Sequence, residues 1–225
     1  YEERNLGYDN AFEGVRIKFN IIKGINFKSL IGRQRIFFTK SDGIVRGLDS
    51  EFILNEIFNK LNFSSNLTIG LSFVSKYEKD NNPKYNLPEN VGAWSSRFLF
   101  NLKNWNLEAE YVSKYNDPSY VNNFIFKKGN AILINTNYSV RGFGINLSAK
   151  RIDNMDFRSE RNESLQNLLI NYLPALTKQQ TYALATIYPY ATITNGEMGL
   201  QFDVNYKFKK QSFFGGKYGT GLNLS

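Results

Sequence analysis

The sequence predicts an all-β protein, an antiparallel up-and-down transmembrane β-barrel or a fragment of a larger one. Long segments alternate apolar and polar side chains over the about 9–11 residues that a tilted strand needs to cross a bilayer. The connections between these segments alternate between short and long, which is typical of outer-membrane barrels. No run approaches the roughly 18 consecutive apolar residues of a membrane helix.

A soluble β-sandwich is the alternative fold, because the composition alone fits either class. The chain has 225 residues, of which 42% are hydrophobic and 16% aromatic. Abundant Tyr and Phe favour strands over helices in both classes. A sandwich gives no reason for the connections to alternate in length, so the pattern favours the barrel.

The absence of both Cys and His excludes several kinds of chemistry. It removes disulfides, thiolate metal sites, a histidine general base, a Ser-His triad and histidine-ligated zinc. The formal net charge of +8 is scattered along the chain, so we expect no nucleic-acid partner. No catalytic residue, cofactor or metal site is predicted, and we expect that the chain is not an enzyme.

About eleven segments have the pattern of strands. In order they are 12–21, 25–31, 44–58, 67–73, the two that meet at Lys103-Asn104, the two that meet at Arg141-Gly142, 181–194, 197–208 and 217–225.

The first two strands predict a hairpin with a wet face. A three-residue loop at 22–24 places Gly24 where a left-handed residue is needed. The register then sets Phe19 opposite Phe27 and Lys18 opposite Lys28. Two lysines facing each other are unfavourable unless water or an acidic neighbour intervenes.

Two further turns predict registers in the middle of the chain. Folding at Lys103-Asn104 sets Phe100 opposite Leu107 and, on the other face, Arg97 opposite Glu110. Folding at Arg141-Gly142 likewise separates an apolar from a polar face, as a sheet with two different environments requires.

The segment from Thr181 to Phe208 predicts the most regular hairpin. Asn195-Gly196 is typical of a type I′ turn, which needs positive φ at both central residues. Folding there sets Ala191 opposite Leu200 and leaves one face apolar along its length. Pro189 counts against the prediction because it removes a ladder donor.

The predicted connections form two sets. The short ones are Lys23-Gly24, 60–66, Lys103-Asn104, Arg141-Gly142 and Asn195-Gly196. The long ones are 39–43, 78–91, 116–129, 154–180 and 209–216. Short turns face the periplasm and long loops face outward in outer-membrane barrels.

Three stretches of the chain resemble an uncharacterised family of Bacteroidota-type outer-membrane barrels with no assigned activity. They are Tyr1–Gly14 (YEERNLGYDNAFEG), Gly32–Glu51 (GRQRIFFTKSDGIVRGLDSE) and Gly215–Thr220 (GGKYGT). The resemblance covers about half of a family member. It implies a single but incomplete barrel domain over residues 1–225, with further strands outside this chain, and it implies no site residues.

The charged residues on the predicted inward faces are candidate lumen charges. They are Arg16, Lys18, Lys28, Asp49, Glu51, Arg97, Glu108, Glu110, Lys150 and Asp203. Opposed basic and acidic sectors would select solutes by charge. Ordinary cross-strand pairing inside a filled interior, with Arg97–Glu110 as one pair, is the alternative.

Trp94 and Trp105 are candidate interface aromatics, since Trp is enriched at the two membrane–water boundaries. They would also be unremarkable as surface aromatics of a soluble protein.

These patterns lead to a functional expectation with two alternatives. We expect an integral protein of the outer membrane, a porin-like channel or transport component that contacts the lipid bilayer. The first alternative is an assembly, secretion or attachment component that binds envelope proteins through its long loops. The second is a soluble all-β carbohydrate-binding or adhesin module.

Overall fold

The computed structural model describes residues 2–3, 8–9, 11–58, 65–176 and 191–225. These residues have an all-β fold in which ten antiparallel strands form one sheet, and two short strands, β1 (Glu2–Glu3) and β2 (Tyr8–Asp9), pair separately. The strands of the large sheet are β3 (Phe12–Ile22), β4 (Ile25–Ile36), β5 (Thr39–Ile53), β6 (Ser65–Tyr77), β7 (Asn90–Leu102), β8 (Trp105–Lys114), β9 (Gly129–Val140), β10 (Phe143–Asp153), β11 (Gly196–Lys207) and β12 (Gly221–Leu224).

The large sheet is an up-and-down meander, because strands that are neighbours in the sheet are also neighbours in the chain. This confirms the predicted fold class. The sheet is open, and β3 and β12 lie at its two edges. One short helix, α1 (Leu54–Ile57), follows β5. Among the described residues, no helix has the length and apolar character to cross a membrane.

The hairpins at Lys23-Gly24, Lys103-Asn104 and Arg141-Gly142 are confirmed. Gly24 and Gly142 both have φ of +83°, and Lys103 has φ of +45°, so each turn has the left-handed residue that a tight hairpin requires. The predicted register across the second turn is present, with Phe100 opposite Leu107.

The first hairpin differs from the prediction by one residue. Phe19 pairs with Phe27 and Lys18 with Lys28 as expected, but the loop has two residues instead of three. A β-bulge between Asn20 and Ile22 takes up the extra residue and keeps the predicted faces.

The polar bend predicted at 39–43 is wrong. Strand β5 already begins at Thr39, and the chain turns at Phe37-Phe38. Phe37 has φ of +52°, and the side chain of Phe38 is 98% exposed. Two aromatic residues give no turn signal in a sequence, and the polar residues that follow them belong to the strand.

The predicted hairpin at Asn195-Gly196 is also wrong. Leu200 of β11 pairs with Ala149 of β10 instead of Ala191. The backbone N–H of Met155 donates to the Thr194 carbonyl at 2.8 Å, and the turn at Thr194-Asn195 precedes β11 without forming a hairpin with residues 191–193, which are not in a strand. Neither Asn195 nor Gly196 is among the described residues with positive φ. Most of the predicted strand 181–194 lies outside the described residues, as does most of the predicted bend at 60–66.

The pairing of β10 with β11 changes which connections share an end of the sheet. The connection 154–195 leaves the sheet after β10 and re-enters it with β11 at the same end. The next connection, 208–220, therefore lies at the opposite end of the sheet. There it neighbours the short turns, and the Lys207 N–H donates to the Gly142 carbonyl at 2.7 Å. We call this end of the sheet the short-turn end and the opposite one the long-loop end.

The two faces of the sheet have different surroundings. We call the side that carries Asp49 and Arg97 the covered face, because residues 154–176, the covering segment, fold over it. Buried apolar side chains lie between the segment and the sheet, in two small clusters centred on Phe157 and Met155. The opposite side, which carries Leu71 and Phe98, we call the apolar face, and both of these side chains are exposed.

Candidate functional site

The sequence-predicted charges all lie on the covered face. Most of them lie in two rows that cross neighbouring strands along the pairing register. One row runs from Lys18 through Lys28 and Asp49 to Ser72. The other runs from Glu51 through Arg97 and Glu110 to Lys150. A ten-stranded antiparallel register thus brings together residues that are far apart in the chain. Their role as lumen charges stays a prediction.

Asp49 is the centre of the charge cluster near the middle of the sheet. Its carboxylate accepts hydrogen bonds from Arg97 Nη2 and, at 2.6 Å, from Ser72 Oγ, and it lies 3.3 Å from Lys28 Nζ. Lys28 Nζ also lies 3.8 Å from Glu51. Asp49 therefore supplies the acidic neighbour that two facing lysines need.

Arg97 reaches Asp49 because the strand between them carries a glycine. Gly70 lies opposite Arg97, and a Cβ at Gly70 would come within 2.7 Å of the guanidinium. The guanidinium therefore lies across β6 and bonds to β5. Glu110 is opposite Arg97 in the register as predicted, but within the described residues it makes no ion pair. It lines a cavity of about 190 Å³ between the sheet and the covering segment.

The remaining predicted charges stay apart from this cluster. Arg16 and Lys18 are exposed on the edge strand β3, and Glu108 is exposed on β8. Asp203, near the short-turn end of β11, accepts a hydrogen bond from Gln201 Nε2 at 3.0 Å. The cluster therefore combines four of the predicted residues, namely Lys28, Asp49, Glu51 and Arg97.

The covering segment is fixed to the sheet by apolar contacts near its start. Phe157 is 2% exposed and packs with Val91 and Ala93 of β7. Met155 is equally buried and packs with Ala131 and Ile152. These side chains lie on the same face as the charges, so that face is apolar towards the long-loop end and charged towards its middle.

The covering segment extends from β10 across the sheet to β4. Gln34 Nε2 of β4 donates to the Leu169 carbonyl at 2.7 Å, and the hydroxyls of Ser41 and Ser159 are 3.0 Å apart. Gly43 permits this approach, since a Cβ there would lie 2.1 Å from the Ser159 carbonyl oxygen. Seven strands, from β4 to β10, therefore lie along its course.

Buried charges attach the covering segment at the long-loop end. Arg161 Nε lies 2.8 Å from Glu78, and Arg158 Nε lies 2.8 Å from Asp156. Asp156 also accepts from Ser119 Oγ at 2.8 Å, and its carbonyl accepts from Lys114 Nζ. These contacts tie the segment to the connections 78–89 and 115–128.

A buried ion pair extends this attachment into the sheet. Lys76 Nζ lies 2.9 Å from Asp117 and 3.7 Å from Glu78, and the Lys76 side chain has no exposed surface. Sequence analysis missed this network. Lys76 and Lys114 lie on the covered face at the ends of their strands, just before long connections. This position was the signal in the sequence for a buried network, but lysines at strand ends are more often solvated.

The apolar face carries two groups of aromatic side chains. Towards the long-loop end, Trp94 packs against Tyr111 with ring centroids 5.3 Å apart. At the short-turn end, Trp105 pairs with Tyr138, and Phe143 lies 6.3 Å from Tyr206. Trp105 is the first residue of β8, and an interface aromatic is expected at such a strand end. Trp94 lies four residues after the start of β7.

Between these aromatic groups the apolar face carries no charge on the described strands β5–β11. Its side chains are Leu48, Ser50, Phe52, Leu67, Ile69, Leu71, Phe73, Ser96, Phe98, Phe100, Leu102, Leu107, Ala109, Ile132, Ile134, Thr136, Val140, Ile145, Leu147, Ala149, Met198, Leu200, Phe202 and Val204. Two of its hydroxyls have partners nearby: Ser50 donates to the Leu71 carbonyl at 3.0 Å, and Thr136 accepts from Trp105 Nε1 at 2.6 Å. The first charges, Arg46 and Arg151, lie towards the long-loop end.

Within the described ranges, no three His, Cys, Asp or Glu side chains come together as a metal site would require.

Comparison with known proteins gives a family and nothing more specific. A family model described as a family of unknown function (DUF6029) matches residues 1–225. No curated protein and no solved structure matches the chain. The predicted resemblance to an uncharacterised family is confirmed, and the outer-membrane type of that family stays a prediction.

Proposed function

This chain belongs to the family DUF6029, whose function is unknown. We therefore propose its function from the two faces of its large sheet. The protein is an integral protein of a bacterial outer membrane. Its apolar face contacts lipid, and its covered face lines the interior of a β-barrel. Within that interior it acts as a porin-like channel that the covering segment narrows.

The uncharged apolar face between two aromatic groups is the observation that carries this proposal. Large contiguous apolar surfaces are rare on soluble monomers and indicate contact with a membrane or a partner. From Trp94 to Leu102, which pairs with Trp105, β7 advances eight residues, or about 27 Å along the strand. At a tilt of about 40° this spans about 21 Å, close to the roughly 25 Å apolar band of outer-membrane barrels.

A shallow groove on the apolar face suits an acyl chain. It has a volume of about 410 Å³ and is lined by Ile132, Ile134, Ala149, Met198 and Leu200. Apolar side chains dominate this lining. A groove of this kind has no use in water but would be filled by lipid.

The covered face supports the channel part of the proposal. The covering segment is bound by apolar contacts and by the buried Arg161–Glu78 ion pair, so it would restrict the interior at a fixed position. Lys28 and Arg97 share the carboxylate of Asp49. Arg16 and Lys18 are exposed, and we therefore expect these two residues to give passage a preference for small anionic or zwitterionic solutes.

Fractionation of the full-length protein distinguishes this function from that of a soluble binding module. We expect it to stay with the membrane after a carbonate wash and to migrate differently on a gel before and after heating, as folded barrels do. A protein that is released by carbonate and shows no heat-dependent mobility would contradict membrane integration.

Planar-bilayer conductance of the full-length protein tests the channel. We expect stable channels whose anion preference weakens in R16Q/K18Q and is unchanged in the matched control K79Q/K84Q, which alters lysines of the 78–89 connection. The double variant E78Q/R161Q removes one attachment of the covering segment and should raise or destabilise the conductance. Absence of any conductance would reject the channel.

A second candidate function, attachment to an envelope partner, is favoured by the long-loop end. Tyr85 and Phe124 of two different connections stack 5.4 Å apart, and Lys84 Nζ lies 5.2 Å from the Tyr85 ring. Tyr115 and Tyr120 are exposed nearby. If the protein integrates into membranes but does not conduct, deletions within 78–91, 116–129 or 154–180 should abolish the capture of that partner.

A further inference from the structure

The connection 208–220 combines exposed aromatic rings with basic side chains at the short-turn end. Phe213 is 95% exposed, Tyr218 is 74% exposed and Phe214 is 67% exposed. Lys209, Lys210 and Lys217 belong to the same connection, and residues 204–225 contain no Asp or Glu. In water alone this arrangement is costly. The exposed rings bury no apolar surface, and the lysines repel one another because no acidic side chain lies beside them in the sequence.

These rings are held by an ordered backbone. Gln211 N donates to the Gly216 carbonyl at 2.6 Å, and the Ser212 hydroxyl donates to the Lys209 carbonyl at 2.7 Å. Gly215 is required for this turn, since a Cβ there would lie 1.8 Å from the Lys209 carbonyl oxygen. The connection therefore presents Phe213 and Phe214 on a compact support.

The aromatic rings of the connection continue the apolar face. Tyr206 packs on Phe208 at 4.8 Å, Phe208 lies 5.5 Å from Phe214, and Phe214 lies 5.0 Å from Phe213. The chain of rings thus begins at the short-turn aromatic group of the sheet and ends beyond the strands. The basic side chains lie at the same position along the molecule, where headgroups would follow the acyl region.

We propose that the connection 208–220 is an interfacial anchor that binds anionic phospholipid headgroups. Phe213 and Phe214 enter the boundary between headgroups and acyl chains, and Lys209, Lys210 and Lys217 contact the phosphates. This inference rests on the proposed function, because it places the apolar face in lipid. Charge complementarity and continuity with that face favour a lipid surface over a protein partner.

The test uses the full chain with one reporter tryptophan in the connection. In F213W, with W94F and W105F removing the other two tryptophans, the protein is reconstituted in phosphatidylcholine vesicles with or without phosphatidylglycerol. We expect brominated lipids to quench the reporter, and brominated phosphatidylglycerol to quench it more strongly than brominated phosphatidylcholine. Each lysine that reaches the headgroups should increase the preference for phosphatidylglycerol over phosphatidylcholine roughly fivefold.

Charge variants decide the lipid preference. K209Q/K210Q/K217Q should lose the preference for phosphatidylglycerol and still insert, whereas K79Q/K84Q/K128Q at the long-loop end should keep it. Equal quenching by the two lipids in inserted protein, or a reporter reached only by aqueous quenchers, would overturn the anchor and leave the proposed function intact. Failure of the unmodified chain to insert, judged by heat-dependent mobility, would overturn both.

Discussion

The carboxylate of Asp49 connects side chains from three neighbouring strands. It accepts from Arg97 and Ser72 and lies beside Lys28, and all four side chains are partly accessible or better. A partly exposed ion pair alone contributes little. Here two cations and a hydroxyl share one acceptor, so removing its charge leaves more than one group without its partner.

We expect D49N to lower the free energy of unfolding by about 1–2 kcal/mol, since hydrogen bonds to charged groups contribute more than neutral ones. Urea-induced unfolding of the reconstituted protein measures this change. E108Q, which alters an exposed carboxylate on the same face, is the matched control and should change stability by less than about 0.5 kcal/mol. Equal effects of the two substitutions would show that Asp49 is not a centre of the cluster.

Asp80 organises the connection 78–89 through its own backbone. Its carboxylate accepts from the N–H groups of Asn82 and Leu87 at 3.0 and 2.9 Å. Both hydrogen bonds lower the pKa of Asp80 below its usual 3.8, and the bond from the Asn82 N–H has the larger effect. A lowered pKa means that this ordering is present above about pH 4 and is lost as the pH falls through the folded-state pKa.

Hydrogen exchange of residues 78–89 checks this dependence. Amide protection at Asn82 and Leu87 should be high at about pH 6 and should fall as the pH is lowered in steps below 3.8, after correction for intrinsic exchange. D80N should show weaker protection throughout this series and little change along it. The same acid-induced loss in D80N would mean that another group causes it.

At the scale of elements, the covering segment depends on a small number of buried side chains. Phe157 fills the space between the segment and β7, whereas Leu165 in the same segment is 83% exposed. The two residues therefore offer a comparison within one element.

We expect F157A to cost about 3–5 kcal/mol, because it removes a large buried ring and leaves a cavity. L165A should stay within about 0.5 kcal/mol of the parent. Urea unfolding measures both variants, and limited proteolysis reports whether cleavage within 154–176 becomes faster in F157A alone. If both variants behave alike, the segment is not held by its contact with β7.

The elements that sequence reasoning predicted correctly are those with local causes. Gly24 and Gly142 supply positive φ, and alternation sets the register on both sides of each turn, so three hairpins were predicted. Phe37-Phe38 was missed because the turn uses residues without turn propensity. The prediction at Asn195-Gly196 failed because β11 pairs with β10, a contact that local sequence does not contain.

The site was predictable only in part, for the same reason. Alternation placed Lys28, Asp49 and Arg97 on one face, and this follows from the period of a strand alone. That Arg97 would bond to Asp49 instead of Glu110 depends on the missing side chain of Gly70, which lies opposite Arg97 on the neighbouring strand. Leu165, Leu168 and Leu169 of the covering segment have the spacing of a helix, but the structure has turns there, and nothing in this pattern indicated which face the segment would cover.

At the scale of the whole molecule, the open sheet has a consequence in a bilayer. Within the described residues, β3 and β12 each pair on one side only. Unpaired backbone groups are costly in lipid, where no water satisfies them. That these strands belong to a larger barrel stays a prediction.

The central claim is that the apolar face contacts lipid, and a lysine on each face of β9 tests it most directly. Ile134 lies on the apolar face between Ala109 and Ala149, and Asn137 lies exposed on the covered face of the same strand. In refolding into phospholipid vesicles, followed by heat-dependent gel mobility, we expect I134K to lose about 2–4 kcal/mol of folding free energy. We expect N137K to fold like the parent. In a soluble protein an exposed Ile134 would tolerate lysine to within about 0.5 kcal/mol, so equal folding of I134K and N137K would contradict the account.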